Sequence, residues 1–275
     1  MDKPGVSIIM GIYNCAATLP EAIDSILAQT YTDWELILCD DGSSDNTYLV
    51  AEEYHKRFPD KVVLLRNEKN SGLNVTLNRC LKSARGEYIA RMDGDDISLP
   101  QRFATEVEFL DSHPEYAIVS CPMIYFDEKG VFRIGHGHGE PKIQGFAKGT
   151  PFCHAPCMVR REAYEKVGGY AERTDRLRVE DWDLWIRMYQ CGYRGYSLPE
   201  PLYKMRDDRD AYQRRKFKYR INEARVSVSA VKSLGLRKTN YIYALRPIIV
   251  GLLPKPIYQF LHRRNQSFQS VSVKK

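Results

Sequence analysis

The sequence of 275 residues contains no long apolar run, no paired cysteine motif and no export signal. The absence of a run of about 18 apolar residues argues against a conventional membrane span. Residues 1–5 lack the basic region and apolar stretch that begin a signal peptide. The seven cysteines are odd in number and include no Cys-x-x-Cys pair, so we expect free thiols in a reducing compartment. Together these absences predict a cytoplasmic protein.

Internal repeats and low-complexity tracts are also missing. The composition, 43% apolar and 28% charged, is typical of a folded globular protein and excludes a disordered chain. The length allows one large domain or two small ones.

Charge is divided unevenly along the chain. Residues 1–203 carry 23 Lys and Arg against 31 Asp and Glu, whereas residues 204–275 carry 18 against 4. The second segment therefore has a net charge of +14, which favours contact with phosphate groups. An anionic membrane surface, a nucleic acid and a phosphorylated substrate all supply such groups.

Short apolar strands alternate with amphipathic helices over the first hundred residues. We predict strands at 6–10, 34–39, 62–65 and 88–92, with helices between them. The first helix is predicted to begin with a capping box formed by Thr18 and Glu21. This alternation predicts an α/β fold whose mostly parallel sheet is flanked by helices, with ligands bound at the carboxyl ends of the strands.

The pattern changes after residue 100. We predict a helix near 101–112, a strand near 116–126, a loop or edge hairpin at 129–149, a strand at 152–160 and helices at 181–191 and 209–234. Prolines interrupt an apolar and basic segment at 241–262. We expect this segment to lie at a membrane interface, although a helical hairpin packed on the rest of the protein is the alternative.

An acidic cluster, Asp93-Gly94-Asp95-Asp96, directly follows the fourth predicted strand. Three neighbouring carboxylates repel one another, and a divalent cation with oxygen ligands relieves that repulsion. The glycine keeps the turn tight and allows a ligand to approach closely. A solvated acidic turn is the alternative, because Asp-Gly-Asp is a short and common pattern.

Two further acidic clusters precede predicted helices. Asp40 and Asp41 follow the second strand, where they can cap a helix or accept hydrogen bonds from a pyrimidine or a ribose. Glu180 and Asp181 begin the helix at 181–191, where a carboxylate can act as a general base. Trp182 could offer a flat face to a sugar, whereas we expect Trp185 to be a core residue.

Six short motifs follow one another along the chain. They are VSIIMGIYN at 6–14, DDGSSD at 40–45, NSG at 70–72 with Asn78, ARGEYIA at 84–90, DGDD at 93–96 and EDWDLW at 180–185. In order and spacing they resemble family 2 inverting glycosyltransferases of the GT-A fold, of the type that builds bacterial polysaccharides such as O-antigen and capsule. The resemblance covers about residues 5–206, and Gly11, where the family usually has proline, is a departure that we expect to affect a turn.

The resemblance implies a nucleotide-sugar donor, which we expect to be a UDP-sugar, and a role for each matching residue. Asp41 is expected to accept the uracil N3–H and Asp40 to support its loop, while Asp93 contacts the ribose directly or through metal. Asp95 is expected to ligate Mn²⁺ or Mg²⁺ at the donor diphosphate. The remaining donor-binding residues on this interpretation are Ile12, Tyr13, Asn14, Arg66, Asn70, Gly94 and Arg206.

Catalysis and acceptor binding are assigned to the later motifs by the same resemblance. Asp181 is expected to be the catalytic base with Glu180 beside it, and Trp182 and His154 to lie near the acceptor. A buried structural role for His154 is the alternative. The acceptor is expected to be a saccharide on a lipid diphosphate carrier, met at the cytoplasmic face of an anionic membrane.

These expectations divide the chain into a catalytic domain, 1–206, and a basic helical extension, 207–275. The catalytic domain is expected to have a nucleotide-binding half, 1–98, and an acceptor-binding half, 99–206. A sugar nucleotidyltransferase is an alternative function, but no glycine-rich phosphate loop follows the first strand. A nucleic-acid-binding module is a second alternative, and the basic extension lacks the stacking platform that it needs.

Overall fold

The computed structural model describes residues 3–207 and 216–253, which form eleven strands and eight α-helices. The strands are β1 (Val6–Ile12), β2 (Trp34–Asp40), β3 (Val62–Arg66), β4 (Tyr88–Arg91), β5 (Ile97–Ser98), β6 (Ile118–Ser120), β7 (Met123–Asp127), β8 (Gly130–Ile134), β9 (Met158–Arg160), β10 (Gly195–Ser197) and β11 (Tyr203–Arg206). The helices are α1 (Leu19–Leu27), α2 (Thr47–Arg57), α3 (Leu73–Ser83), α4 (Arg102–Ser112), α5 (Arg161–Val167), α6 (Glu180–Gln190), α7 (Phe217–Ser233) and α8 (Leu245–Leu252).

A seven-stranded sheet in the order β10-β6-β9-β4-β1-β2-β3 forms the centre of the protein. All of its pairings are parallel except those of β9, which runs antiparallel to β4 and to β6. A second sheet has the order β5-β11-β7-β8. The predicted α/β class and mostly parallel sheet are confirmed.

The strand β1 is apolar at nearly every position because both of its faces are covered. Ile8 and Met10 pack in one apolar cluster with α1, whereas Ile9 packs in the opposite cluster with Leu77 of α3. Parallel strands covered by helices on both faces have this continuous apolar character. The central strands are therefore fixed by burial on two sides.

The parallel register brings the polar ends of the first four strands to one edge of the sheet. Ile12 is paired with Asp40, and Asp40 is paired with Arg66. Arg91 at the end of β4 is paired with Ile9, three residues before the end of β1. The loops that follow these strands therefore meet at the edge where ligands bind in open α/β sheets.

Several predicted elements differ from the structure. The single strand at 116–126 is wrong, because Pro122 separates β6 in the main sheet from β7 in the second sheet. The strand at 152–160 is limited to Met158–Arg160. Gly11 lies inside β1 and not in a turn, and a Cβ there would contact Thr76 Cγ2 at 3.1 Å.

The predicted capping box at α1 is also wrong. Thr18 is the N-cap residue but makes no side-chain cap. Its hydroxyl donates instead to the carbonyl oxygens of Cys15 and Gly94, and the Glu21 carboxylate pairs with Arg206. Thr18 thus links the loop after β1 to the loop after β4.

The C-terminal part of the described chain is helical. α7 packs on the segments 143–147 and 174–177, since Ser227 Oγ donates to the Ala147 carbonyl and Asn222 Nδ2 to those of Thr174 and Leu177. The predicted helix at 209–234 begins partly outside the described residues, as does the end of the predicted segment 241–262. Among the residues that the structure describes, no helix has the length and hydropathy of a membrane span.

All seven cysteines are free, as predicted. Cys39, Cys80, Cys121 and Cys157 are buried. Burial raises the pKa of the Cys121 thiol, and the nearby Glu106 charge raises it further. These four cysteines pack as apolar side chains of the core.

Candidate active site

A cavity of about 440 Å³ opens between the loop after β1 and the loop after β4. Its volume lies within the range of about 300–1,000 Å³ that is usual for ligand pockets. Six of the predicted site residues share this cavity. The lining residues are Gly11, Tyr13, Asn14, Cys15, Ala16, Ala17, Thr18, Asp45, Asp93, Gly94, Asp95 and Arg206.

The loop after β1 is shaped by Asn14, whose φ of 49° is unusual for a residue other than glycine. Its side-chain oxygen accepts a hydrogen bond from the Ser44 N–H at 2.9 Å, and its own N–H donates to Ser43 Oγ at 3.1 Å. The Tyr13 ring, by contrast, is 48% exposed beside the cavity. The loop is therefore held rigidly while one aromatic face stays available to a ligand.

Ile12 and Gly94 hold the two loops together. The Ile12 side chain is buried, and its carbonyl accepts a hydrogen bond from the Asp41 N–H at 2.9 Å. A Cβ at Gly94 would lie 3.0 Å from Cys15 Sγ and 3.1 Å from Ile12 Cγ2. Gly94 thus permits close packing of the loops, and only the main chain of Ile12 is available to a ligand.

Asp41 is fully engaged with the protein itself. Its carboxylate accepts hydrogen bonds from Asn67 Nδ2 at 2.7 Å, from the Ser71 N–H at 2.8 Å and from the Gly72 N–H at 2.9 Å. Four acceptor sites on a carboxylate leave room for one more donor. Asp41 therefore fixes the start of α3 and is not on the cavity wall, and its contact with a base stays a prediction.

Asp40, Arg66 and Asn70 lie beside Asp41 at the neighbouring strand ends. The buried Asp40 carboxylate accepts from the Ser43 N–H at 3.3 Å and pairs with Arg66 Nε at 3.4 Å. The Arg66 guanidinium lies over the Tyr48 ring, 4.3 Å from its centroid, and Asn70 is exposed. None of these three residues lines the described cavity, so their contacts with a nucleotide also stay predictions.

The acidic cluster after β4 is electrostatically strained. Burial raises the pKa of Asp95, and the charge of Asp93 raises it further. Burial, with the charges of Asp93 and Asp95, raises the pKa of Asp96 to about 8, although its carboxylate accepts a hydrogen bond from the Arg206 N–H at 2.7 Å. Such mutual repulsion is what a bound cation relieves.

Asp93 and Asp95 fit the ligand set of Mg²⁺ or Mn²⁺. Within residues 3–207 and 216–253 there is no group of three or more His, Cys, Asp and Glu side chains that could hold a metal. Mg²⁺ usually keeps several waters and binds one or two carboxylates together with substrate phosphates. Two carboxylates on the wall of a cavity are therefore sufficient for such an ion when a diphosphate is present.

Arg206 at the end of β11 lies directly against this cluster. Its Nε donates to the Asp95 carbonyl at 3.0 Å, its Nη2 to Glu21, and its guanidinium lies over the Phe126 ring at 4.6 Å. These contacts orient the Arg206 guanidinium on the cavity wall beside the carboxylates of Asp93 and Asp95. The arrangement can bind an anionic group such as a diphosphate.

Arg91 is a site residue that sequence reasoning missed. It is buried at the end of β4, its Nη2 donates to Asp93 Oδ1, and its Nε has no partner among the described residues. Burial raises the pKa values of Asp181 and Glu180, and the positive charge of Arg91 opposes this rise at both residues. The signal was a lone basic residue within the apolar run Tyr88-Ile89-Ala90-Arg91-Met92.

Glu180 and Asp181 are the first two residues of α6. Burial raises the pKa of Asp181, while hydrogen bonds to the Trp182 N–H and to the Thr150 side chain lower it in part. Burial and the Asp181 charge raise the pKa of Glu180. A carboxylate with a raised pKa is suited to accept a proton. Neither residue is on the wall of the described cavity, but the charge of Arg91 lowers the pKa of both carboxyl groups.

The structure places Trp182 in the core, contrary to the expected sugar platform. The indole is 6% exposed, and its Nε1 donates to the Phe146 carbonyl at 2.8 Å. The first turn of α6 thus carries the two acids at its start and buries Trp182 in the core. Trp185 is fully buried, as predicted.

His154 is packed among aromatic rings. Its Nε2 is 2.8 Å from the Tyr170 hydroxyl, and its ring meets Trp185 edge-on at 6.0 Å. Burial lowers the pKa of His154 well below its usual range, and the Arg91 charge lowers it further. Burial therefore disfavours the charged form of His154, and its contact with an acceptor stays a prediction.

Family models and curated relatives match nearly all of this chain. The model described as "Glycosyl transferase family 2" matches residues 7–168, and that described as "Glycosyl transferase family group 2" matches residues 88–262. The chain is 46% identical to a Bacillus subtilis strain 168 protein described as "Putative glycosyltransferase EpsE". The match covers 95% of this chain and 94% of EpsE. It is 30% identical to the amylovoran biosynthesis glycosyltransferase AmsE of Erwinia amylovora, over 94% and 98%.

The names of a more distant relative and of two solved structures mention nucleotides or nucleotide sugars. The Escherichia coli UDP-Glc:α-D-GlcNAc-diphosphoundecaprenol β-1,3-glucosyltransferase WfaP is 26% identical over 94% of this chain and 98% of WfaP. S. aureus TarS 1–349 in complex with UDP superposes with a TM-score of 0.64 at 17% identity, over 90% of this chain and 80% of that one. The Pyrobaculum calidifontis mannosyltransferase PcManGT, in complex with GDP-Man and Mn²⁺, gives 0.65 at 19% identity, over 98% and 85%. These two likenesses show that the fold is of the GT-A type.

Proposed function

The chain belongs to glycosyl transferase family 2, and from this premise we propose that it transfers a hexose or N-acetylhexosamine from a UDP-sugar to a saccharide hydroxyl, with inversion. The observation that carries the proposal is the position of Arg91. Its guanidinium bonds to Asp93 on the cavity wall and acts electrostatically on Asp181 at the start of α6. One buried cation thus connects a candidate donor-binding acid with a candidate base.

The cavity supports binding of a nucleotide diphosphate. Tyr13 offers an aromatic face, and Arg206 offers a guanidinium beside Asp93 and Asp95. The complexes of TarS with UDP and of PcManGT with GDP-Man and Mn²⁺ support a nucleotide in the corresponding fold. The choice of UDP follows the resemblance and the TarS complex.

Asp93 and Asp95 are the residues that would hold Mn²⁺ or Mg²⁺. A divalent ion in that position supplies Lewis-acid stabilisation of the negative charge that develops on the departing diphosphate. Arg206 adds a fixed positive charge on the same wall. Arg91 donates a hydrogen bond to Asp93 Oδ1 and so orients that carboxylate on the cavity wall.

Asp181 is the proposed general base. In the reaction the acceptor oxygen forms a bond to the anomeric carbon, the bond from that carbon to the diphosphate oxygen breaks, and the hydroxyl proton passes to an Asp181 carboxylate oxygen. Nucleoside diphosphate leaves with the electron pair of the broken bond. A single displacement inverts the anomeric configuration, so an α-linked donor gives a β-linkage. Glu180 lies beside Asp181 to orient the acceptor or the donor sugar.

The proposed pathway is the synthesis of a cell-surface polysaccharide, such as a capsule or a lipopolysaccharide. The name of AmsE supports a role in polysaccharide synthesis, and the name of WfaP supports a saccharide acceptor on a lipid diphosphate carrier. The enzyme would then work at the cytoplasmic face of the membrane, as a peripheral protein. We expect no nucleic-acid partner.

A product assay tests this function. The enzyme is incubated with a panel of UDP- and GDP-sugars, Mn²⁺ and lipid-diphosphate saccharides, and the products are separated. Free nucleoside diphosphate together with a saccharide longer by one sugar supports the proposal. Pyrophosphate would instead indicate a nucleotidyltransferase, and no turnover with any donor in the panel would contradict the proposal.

A further inference from the structure

The outer face of the helical extension is apolar and exposed. The aliphatic side chains on it are spaced three or four residues apart, so they form one continuous stripe along the last turns of the described chain. Leu252, the most exposed of them, is 70% accessible. The residues of this stripe are Ile242, Leu245, Ile249 and Leu252.

The other side of α8 is occupied by α7. A Cβ at Gly251 would lie 2.8 Å from the Phe217 ring and 3.1 Å from Arg220 Cγ, so the two helices are in close contact there. The stripe is therefore the face that α8 turns away from the protein. Because α7 is bonded to the segments at 143–147 and 174–177, the stripe has a fixed orientation relative to the start of α6.

Basic residues surround the stripe. The last acidic residue of the chain is Glu223, and ten Lys and Arg residues follow it. Arg246 is exposed on α8 itself, Lys238 lies in the preceding turn, and Tyr241 is an exposed aromatic beside the stripe. Apolar side chains with basic and tyrosine neighbours are the chemistry of a helix that lies in a membrane interface.

We propose that the stripe Ile242, Leu245, Ile249 and Leu252 is a membrane-docking surface that inserts into anionic bilayers, with Arg246 and Lys238 on lipid phosphates. The inference extends the proposed function, which has its acceptor on a lipid carrier. It goes further by naming the surface and its orientation. Docking through α8 holds the start of α6 at a fixed distance from the bilayer and in a fixed orientation to it.

Charge complementarity favours lipid over the other possible occupants. A second copy of this surface would bring two uncompensated basic segments together, because neither contains an acidic residue after Glu223. Residues 254–275 contain five of those ten basic side chains and no acidic one. An anionic bilayer matches both features, because its acyl chains can accept the apolar stripe while its phosphates pair with the neighbouring basic side chains.

Co-sedimentation with vesicles tests the proposal. The full chain is mixed with vesicles of phosphatidylcholine alone, or of phosphatidylcholine with one quarter phosphatidylglycerol, at low and at high salt. We expect binding to the anionic vesicles and partial release by salt. The double variant Ile249→Gln/Leu252→Gln is expected to bind at least about tenfold more weakly.

Leu49→Gln provides the matched control, because Leu49 is 60% exposed on α2, away from the extension. It is expected to bind vesicles like the unaltered protein. Equal binding by the unaltered protein and the double variant would overturn the proposal. So would a fall in oligomer mass on the double substitution without any vesicle binding, which would identify a second copy as the occupant. Vesicle binding that appears only after removal of residues 254–275 would identify that segment as the cover and would also overturn it.

The rate of UDP-sugar hydrolysis, measured without a lipid acceptor, distinguishes failure of the docking surface from failure of the proposed function. The double variant is expected to hydrolyse the donor at the rate of the unaltered protein. Vesicle binding without any reaction of a donor would count against the proposed function alone. Donor turnover without vesicle binding would count against the docking surface alone.

Discussion

The buried guanidinium of Arg91 donates a hydrogen bond to the Asp93 carboxylate at the point where β4 ends. Arg91 also carries an Nε–H without a partner among the described residues, in a position where its charge acts on Glu180 and Asp181. A buried charge of this kind is costly unless it is compensated. Asp93 supplies part of that compensation.

We predict that Arg91→Met moves the acid limb of the pH profile of kcat/KM to higher pH. Asp181 must be ionised to accept a proton, burial raises its pKa, and the Arg91 charge opposes that rise. Removal of the charge raises the pKa of Asp181 further, because the nearby positive charge no longer favours the ionised form. Activity is then lost at a higher pH as the solution is acidified. Initial rates over a series of buffers measure this.

Arg85→Met is the control for that substitution. Arg85 pairs with the buried Glu35 at the amino ends of the strands, at 2.7 Å, far from the loops of the site. Its pH profile is expected to keep the acid limb of the unaltered enzyme. An unmoved limb in Arg91→Met would show that the Arg91 charge has no influence on the base.

Asp95→Ala is predicted to abolish the contribution of Mn²⁺ to UDP binding. Asp95 lies on the cavity wall with a raised pKa, caused by burial and by Asp93, as expected for a carboxylate whose charge a cation stabilises. Titration calorimetry with and without Mn²⁺ should show at least a tenfold loss of affinity, or about 1.4 kcal/mol, only when the metal is present. Asp60→Ala, an exposed acid, serves as control. Unchanged Mn²⁺-dependent affinity in Asp95→Ala would remove Asp95 from the metal site.

Gly42→Ala is predicted to destabilise the protein by about 2 kcal/mol or more. Gly42 has a φ of +70°, and a Cβ there would lie 2.7 Å from the main-chain carbon of Lys69. Urea unfolding measures the loss. Gly145→Ala is the matched control, since a Cβ there meets nothing within 4 Å, and its effect should stay within about 0.5 kcal/mol. Similar stabilities for the two variants would contradict the close approach of these loops.

Asp183→Asn should affect stability and not chemistry. On the same helix as Asp181, the Asp183 carboxylate joins Arg176 to Arg187, the latter at 2.8 Å. Its replacement is expected to cost about 1–3 kcal/mol of unfolding free energy, because two guanidinium groups lose their charged acceptor. The kcat of the folded fraction should be unchanged. A large fall in kcat would mean that Asp183 takes part in the reaction.

The sheet was largely predictable because burial on both faces leaves a continuous apolar run. Val6, Ile8 and Ile9 could occupy only a covered strand. The single strand at 116–126 was misread because Pro122, a break between two strands, stands within an apolar run. Short strands such as β5 depend on pairing with distant residues, which no local pattern records.

The acidic clusters were visible because charge at a strand end contrasts with the apolar strand. Their partners were not visible, since Glu21 bonds to Arg206 across 185 positions and not to its own helix cap. Helical periodicity showed that one face of α6 is apolar, but it did not show that Trp182 belongs to that face. Long-range contacts decided each of these points.

Turnover and UDP affinity measured on Asp181→Asn test most directly whether Asp181 is the general base. We expect this variant to bind UDP and Mn²⁺ as tightly as the unaltered enzyme. We also expect a fall in kcat of about 10²–10⁴, because the isosteric amide cannot accept the hydroxyl proton. Near-normal kcat in Asp181→Asn, with binding intact, would contradict the assignment of the base and with it the proposed mechanism.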